Sequence, residues 1–594
     1  MLENDTLPRV LYVDLTKRRI WHEYRPDIFE HTIGGTGAGI RLLQEECPEG
    51  ADPLGPENPI ILTVGPMTGL FPMASKTVAM FKSPHTGNLG ESHSGGRSAT
   101  SIRLSGYGAV VIRGASESPV FIAVHNNQAY IRDASALWGM HSSFTVGRII
   151  RDYEPDAGIR TIMRIGIAGE RMVSYACVSM ESYRHFGRLG LGAVFGSKKL
   201  KALVFAGKHS IPVSNRKDYL KIYDNIFQSA LDKPTKKYRE LGTSENILPL
   251  NELGSLPTRN LKQTRFENAH NISGEKFAED YLGRRVACAH CPVGCIHLAA
   301  LRQPYKDEPY FYKTSMIPYD YEPIYALGSM LGMPDIPDLL KLIDIVETYG
   351  LDCMSTGVIL AWATEAFEKG IISEKETDGV KLTWGDYRCY MKAVENIIEQ
   401  PNEFYKALAK GVDHASSIYG GSDYALSYGS NEMSGYHTGP AAHIGYFTGA
   451  RHSHLDNAGY SVDQKTLIKE KVSPQDLAKM LLKEEQWRQI LSSLVVCYFA
   501  RGVYTPEVVI DALKISGFDL TQDDLNQIGI KTLVEKNKFK FREGFKPEEM
   551  RIPRRILETL SPTGYLDEDY IKETIRCYME AVLIEPEPAL PNPV

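Results

Sequence analysis

Short runs of β-branched and aromatic residues, separated by Gly, Pro and Asn, occupy the first 209 positions. Examples are VLYVDL, PIILTVG, TVAMFKS, GAVVIRG, VFIAVH and QAYIRD. Runs of this length and composition, bounded by turn-forming residues, are typical of β-strands. We therefore predict a β-rich domain over residues 1–209.

From about residue 210, apolar residues recur at three- and four-residue steps, the period of an amphipathic helix. DLLKLIDIVETYG at 338–350 shows this period and ends on a glycine that favours a helix stop. PQDLAKMLLKEEQWRQILSSLVV at 474–496 predicts a second long helix. The Gly- and Ser-rich stretch at about 419–439 is interpreted as a linker between two helical parts. The expected fold is α+β: the β-rich domain, a helical domain over 210–420 and another over 421–594.

The composition is that of a globular protein. The 594 residues are 43% hydrophobic and 24% charged, without low-complexity tracts, and this length predicts two to four domains. The formal net charge of −6 provides no basic surface for nucleic acid. The N-terminal residues lack a basic segment followed by an apolar one, and the most apolar stretch is broken by Gly, Pro and Lys76. We therefore expect no secretory signal, no membrane span and a cytoplasmic location.

Three of the nine cysteines lie within CAHCPVGCIH at 288–297. An odd number of cysteines disfavours a disulfide framework. The spacing of Cys288, Cys291 and Cys295 suits a zinc site completed by His297, a redox pair, a tight turn, or a 4Fe-4S cluster with one remote cysteine. Cys497 is the candidate for that remote ligand. Spacing alone leaves these alternatives open.

Two glycine-containing loops and a histidine-rich segment are further candidates for chemistry. SHSGGR at 92–97 and RHFGRLGLGAVFGSKKLKA at 184–202 combine glycine N–H groups with cationic side chains, which suits phosphate binding, although ordinary turns would have the same composition. GYHTGPAAHIGYFTGARHSH contains four of the sixteen histidines. IGGTGAGI at 33–40 does not match G-x-G-x-x-G, so we interpret it as a turn and predict no dinucleotide site.

Taken together, these motifs resemble the tungsten-containing aldehyde:ferredoxin oxidoreductase family along nearly the whole chain. In the family's order they are SPHTG followed by SGG, GRLGLGAVFGSKKLKA, CAHCPVGC, YEPIYALGSMLGM, YGLDCMSTG and the late cysteine. The resemblance implies a tungsten atom held by two pterins, a Mg²⁺ ion bridging the pterin phosphates, and a 4Fe-4S cluster on Cys288, Cys291, Cys295 and Cys497. It also implies that the β-rich domain seats the pterins and that two helical domains follow.

Cofactor contacts are expected from two sets of residues. The glycine-lined, cationic set consists of Lys76, His93, Ser94, Gly95, Gly96, Arg184, Gly187 and Arg188. The family's D-x-x-G-L-D motif is present as Glu347 to Asp352, which adds Glu347, Leu351 and Asp352 and replaces the first Asp by Glu. Its second copy, D-x-x-G-L-C in the family, reads Ser492-Ser-Leu-Val495-Val496-Cys497. Only the cysteine is retained there.

The resemblance also implies the catalytic residues and the reaction. By position, Glu322 in DYEPIYALG matches the family's active-site glutamate and His454 in ARHSHLDN matches its histidine, with His443 and His452 as rivals. A glutamate with a raised pKa and a histidine are able to move protons during aldehyde oxidation. A buried glutamate paired with Arg or Lys is the alternative for Glu322.

The implied function is oxidation of aldehydes to carboxylic acids, with electrons passing through the cluster to ferredoxin or a small iron–sulfur subunit. Benzoyl-coenzyme A ring reduction on the same scaffold and a zinc-stabilised binding module without redox activity are alternatives. Molybdenum would use the same pterin sulfurs as tungsten. Family homodimers are bridged by a metal at an E-x-x-H motif whose positions here are Lys341 and Asp344. Because lysine is not a metal ligand of that kind, we predict no bridging iron and a heteromeric protein.

Overall fold

The structure is a computed structural model that describes residues 2–154, 158–181, 183–305, 307–308 and 310–584. Twelve strands lie in the first 207 residues: β1 Arg9–Asp14, β2 Arg19–Tyr24, β3 Ile60–Thr63, β4 Thr77–Lys82, β5 Leu89–Ser94, β6 Ala109–Arg113, β7 Val120–His125, β8 Gln128–Asp133, β9 Ile159–Ile165, β10 Val178–Met180, β11 Arg184–Phe186 and β12 Leu200–Gly207. Five strands follow: β13 Leu282–Val286, β14 Ile296–Pro304, β15 Tyr312–Tyr319, β16 Ser427–Tyr428 and β17 Asn431–Glu432.

Helices occur along the whole described chain and dominate it after residue 207. They are α1 Pro26–Thr32, α2 Gly35–Glu46, α3 Ser98–Leu104, α4 Ser143–Tyr153, α5 Ile167–Glu170, α6 Leu191–Ser197, α7 Arg216–Leu231, α8 Lys233–Glu240, α9 Ile247–Leu253, α10 Gly274–Asp280, α11 Tyr321–Leu327, α12 Ile336–Tyr349, α13 Cys353–Glu368, α14 Tyr387–Glu399, α15 Glu403–Leu408, α16 Val412–Tyr419, α17 Pro440–Thr448, α18 His454–Asn457, α19 Gly459–Val462, α20 Pro474–Ser493, α21 Pro506–Ile515, α22 Gln522–Arg542, α23 Arg554–Glu558 and α24 Glu568–Val582. The α+β prediction is confirmed.

Two six-stranded sheets make up the N-terminal part. Their strand orders are β2-β1-β6-β3-β4-β5 and β11-β10-β9-β12-β7-β8. Among the strand pairs of the described residues, only β1–β6 and β7–β12 are parallel. Strands β3, β4 and β12 are buried along their whole length, as expected for sheets covered on both faces. The edge strands β5 and β11 contact each other and bring two of the predicted cofactor loops together.

The two predicted long helices are present. Helix α12 ends at Gly350, whose φ of 79° is in the left-handed region that glycine enters without steric cost. Helix α20 spans Pro474–Ser493 and begins with a side-chain cap from Ser473. No helix in the described part of the chain is long and apolar enough to cross a membrane.

Two interpretations from the sequence are wrong. IGGTGAGI is not a turn but the start of α2, where a Cβ on Gly37 would come within 2.8 Å of the Thr32 carbonyl oxygen. The stretch at 419–439 is not an exposed linker, because nearly all of residues 424–439 are buried and they include β16 and β17. Buried tyrosines and glycines pack this segment into the interior, and the domain boundary at 420 stays a prediction.

Candidate active site

A cavity of about 620 Å³ brings most of the predicted site residues together. All of them belong to the described part of the chain. Those that line it are Lys76, His93, Arg184, Gly187, Arg188, Cys288, Cys291, Cys295, Glu322, His454 and Cys497. Gly95 and Glu347 line a smaller adjoining cavity of about 200 Å³. Ser94, Gly96, Leu351 and Asp352 line neither.

The three clustered cysteines lie on the connection between β13 and β14. The backbone N–H of Gly96 donates to the Cys288 sulfur at 3.1 Å. A Cβ on Gly95 would lie 2.8 Å from that same sulfur, so only glycine allows this close approach. The Ser-Gly-Gly loop therefore seats Cys288, a role that the phosphate-loop interpretation of the sequence missed.

The fourth cysteine, Cys497, reaches the same cavity wall from the segment that follows α20. Its backbone N–H donates to the carbonyl of Met73 at 3.0 Å, and the carbonyl of Val495 accepts from the N–H of Lys76 at 3.1 Å. These two bonds tie the segment to the loop before β4. Val495 occupies the glycine position of the family motif with a φ of 54°, a strained backbone for a β-branched residue.

The thiols differ in their electrostatic surroundings. Burial raises the pKa of Cys291 to about 12 and of Cys295 to about 11, and the charge of Cys497 adds to both shifts. Burial also acts on Cys288, but Arg184 and Lys76 outweigh it and lower the pKa of that thiol. The Nη2 of Arg184 also donates to the Cys295 sulfur at 3.8 Å. Four thiols beside cationic side chains suit an anionic iron–sulfur cluster.

His297, the alternative zinc ligand, is buried with its Nε2 3.3 Å from the carbonyl oxygen of Arg239. Within the described residues, no group of three or more His, Cys, Asp or Glu side chains is arranged to hold a single metal ion. The fit to a cluster rests on the shared cavity wall and on the cations beside the thiols.

Cationic side chains with free N–H groups form another part of the wall. Arg184 Nε, Arg188 Nη1 and Arg488 Nη2 are buried and have no hydrogen-bond partner among the described residues. A buried donor left unpaired costs roughly 1–3 kcal/mol, and more when it is charged. Three such donors around one cavity therefore suit an anionic ligand such as a phosphorylated pterin.

The segment 347–352, which matches the D-x-x-G-L-D motif, contacts Arg188 of this wall on the side away from the cavity. Asp352 accepts from the Arg188 Nε at 3.1 Å and from the Ser355 hydroxyl at 2.7 Å. Glu347 Oε2 lies 2.7 Å from His185 Nε2. Leu351 is buried. The contact of Asp352 in this structure is therefore with Arg188, whose free Nη1 is one of the unpaired donors.

Glu322 and His454 are neighbours across the cavity. Glu322 lies in the first turn of α11, and His454 begins α18 behind a capping box formed by Ser453. The His454 Nε2 lies 3.3 Å from Glu322 Oε1, and its Nδ1 lies 3.0 Å from the Ser434 hydroxyl. The Tyr436 hydroxyl donates to the same Glu322 oxygen at 3.5 Å. The two residues that the family resemblance selected thus form one hydrogen-bonded group.

The expected upward pKa shift belongs to Asp320 instead of Glu322. Burial, together with the charge of Glu322, raises the pKa of Asp320 to about 7. Burial also acts on Glu322, but the hydrogen bond and charge of His454 outweigh it and lower the pKa of Glu322. The expectation of a raised pKa for Glu322 is therefore wrong, because His454, which lies far away in the sequence, contacts this carboxylate.

The rival histidines lie away from the cavity lining. His443 is buried between the Tyr428 hydroxyl, 2.5 Å from Nδ1, and His437, 2.9 Å from Nε2. His452 Nε2 lies 3.1 Å from Lys540 Nζ. Burial lowers the pKa of His443 well below its ordinary value and that of His452 to about 3. Of the three, His454 faces the cavity.

Several lining residues were not singled out from the sequence: Glu91, Asp320, Tyr436, Arg451 and Arg488. Glu91 Oε2 lies 2.5 Å from Lys536 Nζ, and its Oε1 lies 2.6 Å from His93 Nε2. Burial lowers the pKa of His93 to about 4, which keeps its imidazole neutral. The only sequence signal for Glu91 was its alternation with His93 on β5. Its other partner, Lys536, comes from the distant helix α22.

Comparison with known families agrees with this arrangement. The family description "Aldehyde ferredoxin oxidoreductase, N-terminal domain" matches residues 10–207, and "Aldehyde ferredoxin oxidoreductase, domains 2 & 3" matches residues 221–583. The chain belongs to the aldehyde ferredoxin oxidoreductase family. It is therefore an enzyme of an oxidoreductase family, and the zinc-stabilised non-redox module is set aside.

Curated relatives cover nearly the whole chain. The tungsten-containing aldehyde ferredoxin oxidoreductase of Thermococcus kodakarensis is 31% identical over 94% of this chain and 92% of its own. That of Pyrococcus furiosus is 30% identical over 91% and 90%. The Pyrococcus furiosus "Aliphatic sulfonate oxidoreductase, WOR-like subunit" is 28% identical over 88% and 84%.

A solved structure has the same fold. The active site complex BamBC of benzoyl coenzyme A reductase with 1,5 dienoyl-CoA matches with a TM-score of 0.80 and 21% identity, over 97% of this chain and 94% of that one. This likeness concerns the architecture alone.

Proposed function

We propose that the protein oxidises aldehydes to carboxylic acids at a tungsten bis-pterin group and passes the electrons through a 4Fe-4S cluster. The observation that carries this proposal is one cavity of about 620 Å³ lined by four cysteines, three arginines that each keep one nitrogen without a hydrogen-bond partner among the described residues, and the Glu322–His454 pair. The relatives named as tungsten-containing aldehyde ferredoxin oxidoreductases support the choice of metal and substrate class.

The chain supplies distinct groups for each cofactor. Cys288, Cys291, Cys295 and Cys497 would hold the cluster. Lys76, Arg184, Arg188 and Arg488 would bind the pterin phosphates and the Mg²⁺ ion's phosphate ligands. Cationic donors are required here because two phosphorylated pterins bring several negative charges into a buried site.

The reaction is R–CHO + H₂O → R–COOH + 2e⁻ + 2H⁺. The bound tungsten group would accept the two electrons. Glu322 is the base for one proton, since its low pKa keeps it ionised at neutral pH, and His454 is positioned to orient the carbonyl oxygen. Asp320, with a pKa near 7, is able to take the proton onward from Glu322.

The electrons leave singly through a ferredoxin or a small iron–sulfur subunit. At one of the two positions that bridge family homodimers through iron this chain has Lys341, which supports the prediction that no iron bridges two copies. Lys341 Nζ is 2.8 Å from Asp338 and lies 4.4 Å from the ring centroid of Tyr387. A heteromeric arrangement, with a cytoplasmic location, is part of this proposal.

Anaerobic purification followed by metal analysis and dye assay tests the function. We expect one tungsten and four irons per chain, Mg²⁺, and aldehyde-dependent reduction of benzyl viologen. Molybdenum in place of tungsten would change the metal but keep the reaction. Activity with benzoyl-coenzyme A and none with aldehydes would replace the proposed reaction by ring reduction on this fold. Zinc without tungsten or iron would refute the proposal entirely.

A further inference from the structure

A second cavity, of about 540 Å³, has an unusual density of arginines. Its lining includes Arg97, Arg148, Arg151, Arg160 and Arg164, and we call this set the arginine pocket. Glu181 is the only acidic side chain in its lining among the described residues. The whole chain has a net charge of −6, so this local excess of positive charge runs against the overall balance.

The arginine pocket is built from both buried and exposed groups. Arg164 forms the buried part and is held by the Ser143 carbonyl, which accepts from its Nε at 2.8 Å. Arg148 and Arg151 are exposed on α4, whose opposite side buries Val146 and Ile150. The outer guanidinium groups therefore meet solvent while the inner one is fixed by the fold.

The arginine pocket lies directly beside the cysteines. Arg97 follows Gly96, the residue whose N–H donates to the Cys288 sulfur at 3.1 Å. Gly96 also accepts at its carbonyl from the N–H of Ala289, at 2.8 Å. Tyr183 lines the arginine pocket and also the small cavity that contains Cys295. One backbone segment and one tyrosine thus separate the arginines from the proposed cluster.

We infer that the arginine pocket is the docking site for an acidic one-electron carrier protein that receives electrons on the Cys288 side of the cysteine group. The inference rests on the proposed function and specifies the surface at which electrons leave this chain. Charge complementarity selects an acidic partner, because electrostatic attraction speeds encounter and fixes orientation. With the cluster bound, each docking event would transfer one electron from the cysteine-held cluster to one carrier, so the two electrons of one aldehyde would reduce two carriers, and no proton would move in this step.

The test measures binding of an oxidised, acidic 2[4Fe-4S] ferredoxin to the anaerobically purified full chain by biolayer interferometry. The variant is Arg148→Glu/Arg151→Glu, and the matched control is Arg554→Glu/Arg576→Glu, which changes the net charge equally at exposed positions of α23 and α24. We expect Kd to rise about tenfold or more in the pocket variant and less than about twofold in the control. Raising the salt from about 20 to about 200 mM should remove most of that difference.

Each other outcome contradicts the inference. Equal Kd values for wild type and pocket variant, or equal losses in both double variants, would show that the arginine pocket is not the docking site. So would tight binding of inorganic phosphate or ATP to the pocket with ferredoxin affinity unchanged in the variant, since this would identify a small-anion site. Should the pocket variant fold poorly by circular dichroism, Arg148→Gln/Arg151→Gln repeats the comparison.

Enzyme activity separates this inference from the proposed function. Aldehyde-dependent reduction of viologen dye, which needs no protein docking, should be unchanged in the pocket variant. Absence of that activity in the wild type refutes the proposed function, while the binding measurement still tests the docking surface.

Discussion

Asp320 and Glu322 are two residues apart, yet their pKa values move in opposite directions. Burial and a neighbouring charge raise that of Asp320 to about 7, whereas His454 lowers that of Glu322. Two carboxyl groups with separated pKa values are able to divide the work of proton transfer. In the proposed reaction, Glu322 would be the ionised group next to the substrate, and Asp320 would be the group that exchanges its proton near neutral pH.

Glu322→Gln should lower aldehyde turnover by about two to four orders of magnitude, because the amide keeps the shape but is no base. Tungsten and iron contents should stay at wild-type levels, measured on the same anaerobic preparation. Glu558→Gln, an exposed surface change, is the control. His454→Asn should be less harmful if that histidine only orients the carbonyl. Near-normal turnover of Glu322→Gln at full metal content would refute the role of this glutamate.

The pair also predicts a pH dependence. Asp320 is protonated below a pH of about 7 and ionised above it, and its ionisation makes Glu322 a stronger base. The kcat/KM for aldehyde should therefore rise as the pH increases through about 7. Asp320→Asn should remove this limb and leave a flatter profile. A profile with the same limb in wild type and Asp320→Asn would assign the titration to another group.

For single residues, the sequence was sufficient to select the catalytic candidates but not to predict their pKa values. The family resemblance selected Glu322 and His454, and the structure places them 3.3 Å apart. The pKa of Asp320 could not be read from its neighbours in DYEPIYALG, because it also depends on Arg184, which lies far away in the sequence and close in space.

At the scale of elements, the proposed cluster depends on two pieces of chain. The β13–β14 connection supplies three cysteines, and the segment after α20 supplies Cys497. Sequence spacing identified the first group and made Cys497 the candidate for a remote fourth ligand, and the family resemblance then supported that choice. Backbone bonds from Cys497 to Met73 and from Lys76 to Val495 explain why a residue so far along the chain arrives there.

Cys497→Ala should leave three thiolates and give a labile cluster, with iron lost on desalting and with little dye-linked electron transfer. Cys577→Ala is the matched control, because Cys577 lies on α24 and outside the cavity lining. Iron content and the visible absorption of the cluster are the measurements. Wild-type iron and activity in the Cys497 variant would remove this cysteine from the ligand set.

The strand and helix predictions succeeded where the pattern was local. All six runs predicted as strands are strands, namely β1, β3, β4, β6, β7 and β8. The failures have a common cause in tertiary packing. The glycines at 35, 37 and 39 lie in α2, where close neighbours leave no room for side chains, and the Gly- and Ser-rich segment at 424–439 is buried where it lies against α11. Composition favoured turns and linkers at both places.

At the scale of the molecule, Glu432 joins parts that are distant in sequence. Its carboxylate lies 2.7 Å from His85 Nε2, accepts from the Ser355 hydroxyl at 2.7 Å and from the N–H of Val412 at 3.0 Å. Its carbonyl accepts from Arg188 at 2.7 Å. Because His85 and Glu432 are 347 residues apart, no local pattern could reveal the pair. The carboxylate of this buried residue thus connects the N-terminal part with two helices, and its backbone carbonyl adds the cavity wall.

Glu432→Gln should lower the free energy of unfolding by about 3–5 kcal/mol, since removing one partner leaves the others buried and unpaired. Glu403→Gln, at the exposed pair with Lys406, should change it by less than about 1 kcal/mol.

Burial opposes the charge of Glu432, but His85 and the hydrogen bonds prevail and lower its pKa to about 2 from an ordinary value of 4.5. A carboxylate whose pKa is lower in the folded than in the unfolded protein stabilises the folded state at pH values above its ordinary pKa. That stabilisation is lost as the pH falls through the pKa of the folded state. The difference between wild type and Glu432→Gln in the midpoint of urea unfolding should therefore be full above a pH of about 4.5 and shrink toward a pH of about 2. A difference that is small at neutral pH, or independent of pH across this window, would show that Glu432 does not hold these parts together.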